Sequence, residues 1–312
     1  MNIVFFGTSE FAIPVLEKLL NSPHKILALV TQPGRKKGRS LKLLDPSIKE
    51  TAVKHEIKVF QPENAEDIAS DLKDLNADLF VVVSFGQILG KAILAIPKKC
   101  CVNIHPSLLP KYRGAAPMNW AVINGDSSTG ISIIRMNERM DAGDIILQNE
   151  VELRDDDTSL TLSDRLSKIG ANSLLEAMGL LENNSAKFIK QDDGRVSVAP
   201  KLKKRDGLID WLNSAKVIHC MVKGTQPWPG AYTYLNGKSV KIYKTHMVDA
   251  GFSKDARPGE ILDTFSGKGL LVKAGDAALS IKELQIEGGK RMPVEEFLRG
   301  HTVRAGEKFG NI

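Results

Sequence analysis

Residues 102–117 read Val-Asn-Ile-His-Pro-Ser-Leu-Leu-Pro-Lys-Tyr-Arg-Gly-Ala-Ala-Pro, and their order carries both a fold and a chemistry. The run opens as the end of an extended apolar segment, and Pro106 stops it, because proline has no N–H to give a sheet ladder. In a strand, residues two apart point to the same face. Asn103 and His105 therefore project side by side where the strand ends. A carboxamide N–H beside a titratable imidazole can stabilise an oxyanion and move a proton. Further on, Met-Asp-Ala-Gly-Asp (140–144) sets a carboxylate, Asp141, on a glycine-containing turn. Asn103, His105 and Asp141 together suffice for acyl-type transfer with no metal and no covalent nucleophile. A histidine at a strand end, taken alone, is more often a hydrogen-bonded structural residue.

Working outward, short apolar runs alternate with helical patterns. Asn2–Phe6 ends at Gly7, and Thr8-Ser9-Glu10 can cap a helix reaching about Leu20. Ile26–Val30 reads as a second strand. Asp45 is a plausible cap for a helix begun at Pro46. Residues 58–60 read as a strand and 65–75 as a polar helix. Leu79–Val83 and Cys101–Ile104 are continuous apolar runs, as strands buried on both faces require. The alternation predicts an open, mostly parallel, Rossmann-like α/β sheet. Such sheets bind ligands beyond the carboxyl ends of their strands, where Gly7, Gly86 and the His105 loop stand. No Gly-x-Gly-x-x-Gly follows the first strand, which speaks against a dinucleotide cofactor.

The pattern changes after a long helical stretch at 158–183. Apolar periodicity is lost over 183–205. The reading is a first domain over 1–188, a linker over 189–208 and a second domain over 209–312. In the second domain a short helix near 213–222 precedes several short alternating runs. Asn236-Gly237 between two of them is a strong hairpin signal. Many short strands in about 100 residues predict a small β-barrel or sandwich.

Composition excludes several classes. Of 312 residues, 42% are hydrophobic and 26% charged, ordinary values for a globular protein. No run approaches the roughly 18 apolar residues of a membrane span, and the first residues lack a basic leader. Three cysteines without Cys-x-x-Cys spacing argue against a disulfide framework or a zinc site and fit a reducing, cytoplasmic setting. Charge is uneven. Residues 1–200 hold 24 Lys and Arg against 25 Asp and Glu, a net of −1. Residues 201–312 hold 19 against 12, a net of +7. A second basic cluster comprises Arg35, Lys36, Lys37, Arg39 and Lys42 on a glycine-containing loop. Positive charge gathered in this way suits a polyanionic partner.

The run 102–117 resembles the signature of the 10-formyltetrahydrofolate-dependent formyltransferases, Asn-x-His-Pro-Ser-Leu-Leu-Pro-x-Tyr-Arg-Gly. The resemblance extends over nearly the whole chain. Its other landmarks are 6–12, Thr31-Gln32-Pro33, 83–89, Ile209-Asp210-Trp211, 227–233 and Phe297-Leu298-Arg299-Gly300. It departs from the family pattern at Ser9, Gly34 and 38–40, which touches the basic loop and leaves the three chemical residues intact. The resemblance implies a formyltransferase domain followed by an oligonucleotide-binding-type (OB-like) barrel. It implies transfer of a formyl group from 10-formyltetrahydrofolate to the α-amino group of methionine on initiator tRNA. The alternative acceptor is another amine, such as a nucleotide-linked amino sugar. Asn103, His105 and Asp141 are then catalytic. Ser107, Leu108, Leu109 and Pro110, with Phe85, Gly86, Gln87, Ile88 and Leu89, line the folate. Arg35, Lys36, Lys37, Arg39 and Lys42 with the barrel hold the tRNA. No metal, no membrane and a monomer complete the expectation.

Overall fold

Short segments rich in valine, isoleucine and phenylalanine build the first sheet. The computed structural model describes residues 1–37, 42–248, 256–264 and 269–310. It divides into two units, one of Met1–Pro117, Ser128–Glu152 and Ser163–Ala199, the other of Met118–Ser127, Leu153–Leu162 and Pro200–Ile312. Strands of the first unit are β1 Asn2–Gly7, β2 Lys25–Val30, β3 Arg35–Lys37, β4 Lys42–Leu44, β5 Lys58–Phe60, β6 Leu79–Val83, β7 Cys100–His105, β8 Arg113–Gly114, β9 Ser128–Arg135, β10 Asp144–Glu152 and β11 Val198–Ala199.

The main sheet runs β10-β9-β7-β6-β1-β2-β5. The five strands from β5 to β7 are parallel. Apolar residues fill both faces: Val4, Phe6, Val30, Phe80 and Val82 share one cluster with Leu72 and Ile93, while Ile3, Phe5 and Leu29 are fully buried as well. The order turns back at β1, whose neighbours are β2 and β6, and this switch point opens a crevice at the carboxyl ends. Gly7 pairs with Val83 there, and Val82 pairs with Asn103.

Two strands join those expected, and two local expectations are corrected. Antiparallel β9 and β10 extend the parallel sheet beyond β7. Gly130 inside β9 weakens the strand pattern, and it is there because a Cβ would lie 2.3 Å from the Asn149 carbonyl of β10. Asp45 caps no helix. The helix is Ile48–Lys54 with Ser47 at its N-cap, and the Asp45 carboxylate accepts instead from Gln61 and Lys49. Those bonds hold it below the usual carboxylate range. Ser9 makes no side-chain cap. Its neighbour Thr8 donates from Oγ1 to the Phe85 carbonyl at 2.9 Å, tying the end of β1 to the end of β6.

Two segments read as irregular contain paired strands. In the basic segment β3 and β4 pair antiparallel from Arg35–Leu44 to Lys37–Lys42, and residues 38–41 lie outside the described residues. Of the expected linker, residues 189–199 belong to the first unit. Ile189 bridges Ile145, and β11 pairs in parallel with β8.

In the second unit the helix Ala215–Gly224, capped by Ser214, accompanies an antiparallel sheet. Its strands are β12 Ala231–Leu235, β13 Lys238–Val248, β14 Ile261–Asp263, β15 Leu270–Lys273, β16 Ala278–Ile286 and β17 Met292–Pro293. The order is β12-β13-β16-β15-β14, with β17 on β16. Asn236 and Gly237 turn β12 into β13, both with positive φ, as a type I′ hairpin demands. Residues 306–310 bridge the two sheet edges. Gly310 exchanges backbone hydrogen bonds with Tyr234 of β12, while Gly306 and Glu307 bond Ile261 at the start of β14 and the Phe309 N–H donates to the Gly259 carbonyl just before it. The sheet thus curls on itself around Trp211, Ile218, Ile242, Val272, Leu284, Phe297 and Phe309.

Candidate active site

Strand β7 delivers the first two groups. Val102 and Ile104 are buried in the sheet, and the alternation sends Asn103 and His105 to one face. Asn103 is partly exposed, and among the described residues no protein group hydrogen-bonds its side chain. His105 is only 4% exposed. Its Nε2 lies 2.9 Å from the Tyr112 carbonyl. A carbonyl can only accept, so Nε2 carries the proton. Nδ1 then faces Asp141, whose Oδ1 lies 3.6 Å away. That separation suits an ion pair and exceeds a formed hydrogen bond. A proton arriving on Nδ1 converts a lone pair facing a carboxylate into an imidazolium–carboxylate pair.

The turn expected at 140–144 places Asp141 at φ +50, a left-handed conformation that aspartate tolerates better than most residues. Its Oδ2 accepts from the Gly114 N–H at 2.8 Å. Residues 112–114 therefore serve both partners, with a carbonyl for the histidine and an N–H for the aspartate. That demands unusual backbone: Tyr112 at φ +62 and Gly114 at φ +127. A Cβ at Gly114 would lie 2.6 Å from the Ala199 carbonyl, so only glycine lets β8 pair with β11 there.

The loop after His105 is held by a buried polar network. Ser107 donates to the Lys111 carbonyl (2.6 Å), and Ser132 donates to the Ser107 carbonyl (2.6 Å). The Ser132 oxygen accepts from the Leu109 N–H and from Gln148, which also donates to the Leu109 carbonyl. Leu109 packs on Ile134 and Ile145; Leu108 and Pro110 are partly exposed. Ser132 and Gln148 come from β9 and β10 and were invisible as partners without those strands.

The segment after β6 leaves the same edge beside this loop. Phe85 and Leu89 are core residues, Phe85 lying edge-on to Phe6. The Gln87 amide is committed to residues 62–65. Ile88 is 73% exposed, and Gly86, at φ +85, has only Gln32 Nε2 within 4 Å of where a Cβ would stand. Arg35, Lys36, Lys37 and Lys42 lie on the paired strands β3 and β4; Arg39 lies outside the described residues. Arg113 donates to Gln191 and pairs with Asp193. Gln191 was missed by sequence reasoning. A polar residue in a segment without apolar periodicity gives no sign of its partners.

Among the described residues no group of three or more His, Cys, Asp or Glu could hold a metal ion, and no helix is long and apolar enough to cross a membrane. Residues 1–178 match the family described as formyl transferase, and residues 201–302 match the formyl transferase C-terminal domain. The methionyl-tRNA formyltransferase of Ruminiclostridium cellulolyticum is 42% identical across 99% of this chain and 100% of its own length. That of Clostridioides difficile is 44% identical, with the same shares. Among solved structures, the sugar 3N-formyltransferase WlaRD superposes with a TM-score of 0.69 at 19% identity, over 93% of this chain and 99% of that one. HypX from Aquifex aeolicus in complex with tetrahydrofolic acid gives 0.62 at 16% identity over 95% of this chain, which spans 46% of HypX. These two likenesses concern the fold. With both family domains and full-length relatives in agreement, the chain belongs to the formyltransferase family, in the group of the methionyl-tRNA formyltransferases.

Proposed function

We propose that this chain transfers the formyl group of 10-formyltetrahydrofolate to the α-amino group of methionine on initiator tRNA, and that Asn103, His105 and Asp141 carry the chemistry. The observation that carries the reading is the His105–Asp141 pair, 3.6 Å apart beside an unpartnered Asn103 amide at the carboxyl edge of a parallel sheet. It stands in a chain 42–44% identical over its full length to methionyl-tRNA formyltransferases.

The co-substrate supplies a formyl carbon that the amine attacks. Asn103 donates its amide N–H to the formyl oxygen as negative charge develops there; one such donor contributes about 10²–10³ in rate. The His105–Asp141 pair takes up the proton that the amine loses. It returns that proton to N10 of the folate as the carbon–nitrogen bond breaks. Tyr112, through its carbonyl, fixes the Nε2–H tautomer and leaves Nδ1 as the exchanging site. Ser107, Leu108, Leu109 and Pro110, with Gly86 and Ile88, border the folate, and backbone of 85–89 meets the pterin. The unit bearing this site runs past the expected 188 to Ala199, and the barrel over 209–312 with Arg35, Lys36, Lys37, Arg39 and Lys42 holds the tRNA. The chain acts as a monomer in the cytoplasm.

The test offers 10-formyltetrahydrofolate with methionyl initiator tRNA or with a nucleotide-linked amino sugar. Formylation of the tRNA at a kcat/KM at least about 10³-fold above the sugar is expected, a difference of roughly 4 kcal/mol in transition-state binding. Formylation of the sugar alone overturns the assignment.

A further inference from the structure

We propose that Gln191 is a positioning residue that sets the Asp141 carboxylate against His105. The proposal rests on the reading of Asp141 as a catalytic group. The Gln191 amide uses its whole hydrogen-bonding capacity on the site's framework. Its Nε2 donates to the Asp141 carbonyl at 2.7 Å and to the Gly143 carbonyl at 2.8 Å. Its Oε1 accepts from Arg113 Nε at 3.0 Å and Nη2 at 2.8 Å. The orientation is unambiguous, because two carbonyls require the nitrogen and a guanidinium requires the oxygen.

The placement matters because of what Arg113 adjoins. It stands between Tyr112, whose carbonyl holds His105, and Gly114, whose N–H holds Asp141. One amide thus links the backbone of the aspartate turn to segment 112–114, whose outer residues hold His105 and Asp141 respectively. The rest of the segment reinforces the strap. Ser197 accepts from the Tyr112 N–H through Oγ and from the Arg113 N–H through its carbonyl. Ala199 accepts from Ala115. Asp193 joins the Arg113 and Arg139 guanidiniums, which hold its carboxyl below the usual range. Asp141 stays in its left-handed conformation because the carbonyls of Asp141 and Gly143 are tied to Gln191. A residue in that region persists where its surroundings over-determine it.

The isosteric variant Gln191→Glu separates positioning from bulk. It keeps the Arg113 contact and turns carboxylate oxygens toward two carbonyl oxygens. Gln191→Met keeps the length and removes all four bonds. Both are measured in the full-length chain for single-turnover formyl transfer, for KM of donor and tRNA, for melting temperature and for the His105 ring nitrogen resonances. A misplacement of about 1 Å costs up to about 10²-fold in rate. The expected result for Gln191→Glu is a loss of at least about tenfold in the transfer rate, KM of both substrates within about twofold, and a shifted Nδ1 resonance. A folded Gln191→Glu protein with wild-type rate overturns the proposal, as does a loss confined to KM. Where Gln191→Glu does not fold, Gln191→Met decides by the same criteria, and failure of both to fold overturns positioning in favour of a purely structural role. Asp141→Asn runs in parallel. If it keeps full rate, the reading of Asp141 fails and the proposal with it. If it is inactive while Gln191→Glu is not impaired, only the strap fails.

Discussion

Two side chains on one strand and a third on a turn make the proposed site, and the backbone around them does as much as the side chains. Asn103 and His105 follow from the period of a strand, and Asp141 from a glycine-containing turn, so the chemical groups could be read from the sequence. Their holders could not. The Tyr112 carbonyl, the Gly114 N–H and the Gln191 amide act across 7, 27 and 50 positions of chain, and nothing local in residues 112, 114 or 191 announces it. Gly114 is the sharpest test at this scale. Its φ of +127 and the 2.6 Å approach of the Ala199 carbonyl leave no room for a methyl group. Gly114→Ala is expected to cost about 1–3 kcal/mol of stability and to lower turnover, because the amide that holds Asp141 must move. Chemical denaturation and a transfer assay on the same protein check both. Asn103→Ala is expected to lower kcat by about 10²–10³ with KM little changed; an equal rise in both KM values and an intact kcat would assign Asn103 to binding instead.

Among the elements, parallel β1, β2, β6 and β7 were readable because strands buried on both faces are continuous apolar runs. Antiparallel β9 and β10 were not. Gly130 interrupts one, and the other alternates as half-buried strands do. The segment 189–199 lacks periodicity because it is strapped through single hydrogen bonds rather than by an apolar face. In the second unit, burial and the charges of Lys223 and His246 push the His219 imidazole down to about 4, with Asp155 opposing them. The unfolded chain therefore binds more protons than the folded one between about pH 4 and pH 6.5, so stability falls as pH drops through that window. The melting temperature of the second unit is expected to decline there, and His219→Gln to flatten the decline. Phe309, 1% exposed and stacked on Trp211 at 5.7 Å, anchors the segment that bridges the sheet edges. Phe309→Ala is expected to cost about 3–5 kcal/mol, measured as the shift of the denaturant midpoint at constant slope.

For the whole molecule, charge is apportioned by function. The first 200 residues are close to neutral and residues 201–312 carry a net of +7. A polyanion bound by such a surface releases counterions, so its affinity falls steeply with salt, whereas a small co-substrate in a cleft is far less sensitive. The affinity for initiator tRNA is accordingly expected to drop by orders of magnitude between about 50 and 200 mM salt, with the KM for the folate donor nearly constant; parallel slopes for both would remove the basic surface from tRNA binding. In the proposed reaction Asn103, His105 and Asp141 converge on one formyl group. The most direct measurement of that convergence is the single-turnover rate of formyl transfer to methionyl initiator tRNA by Asp141→Asn against the wild type. A loss of about 10²–10⁴-fold in a folded protein with unchanged substrate affinities is the expected result, and a rate within a few-fold of wild type would contradict it.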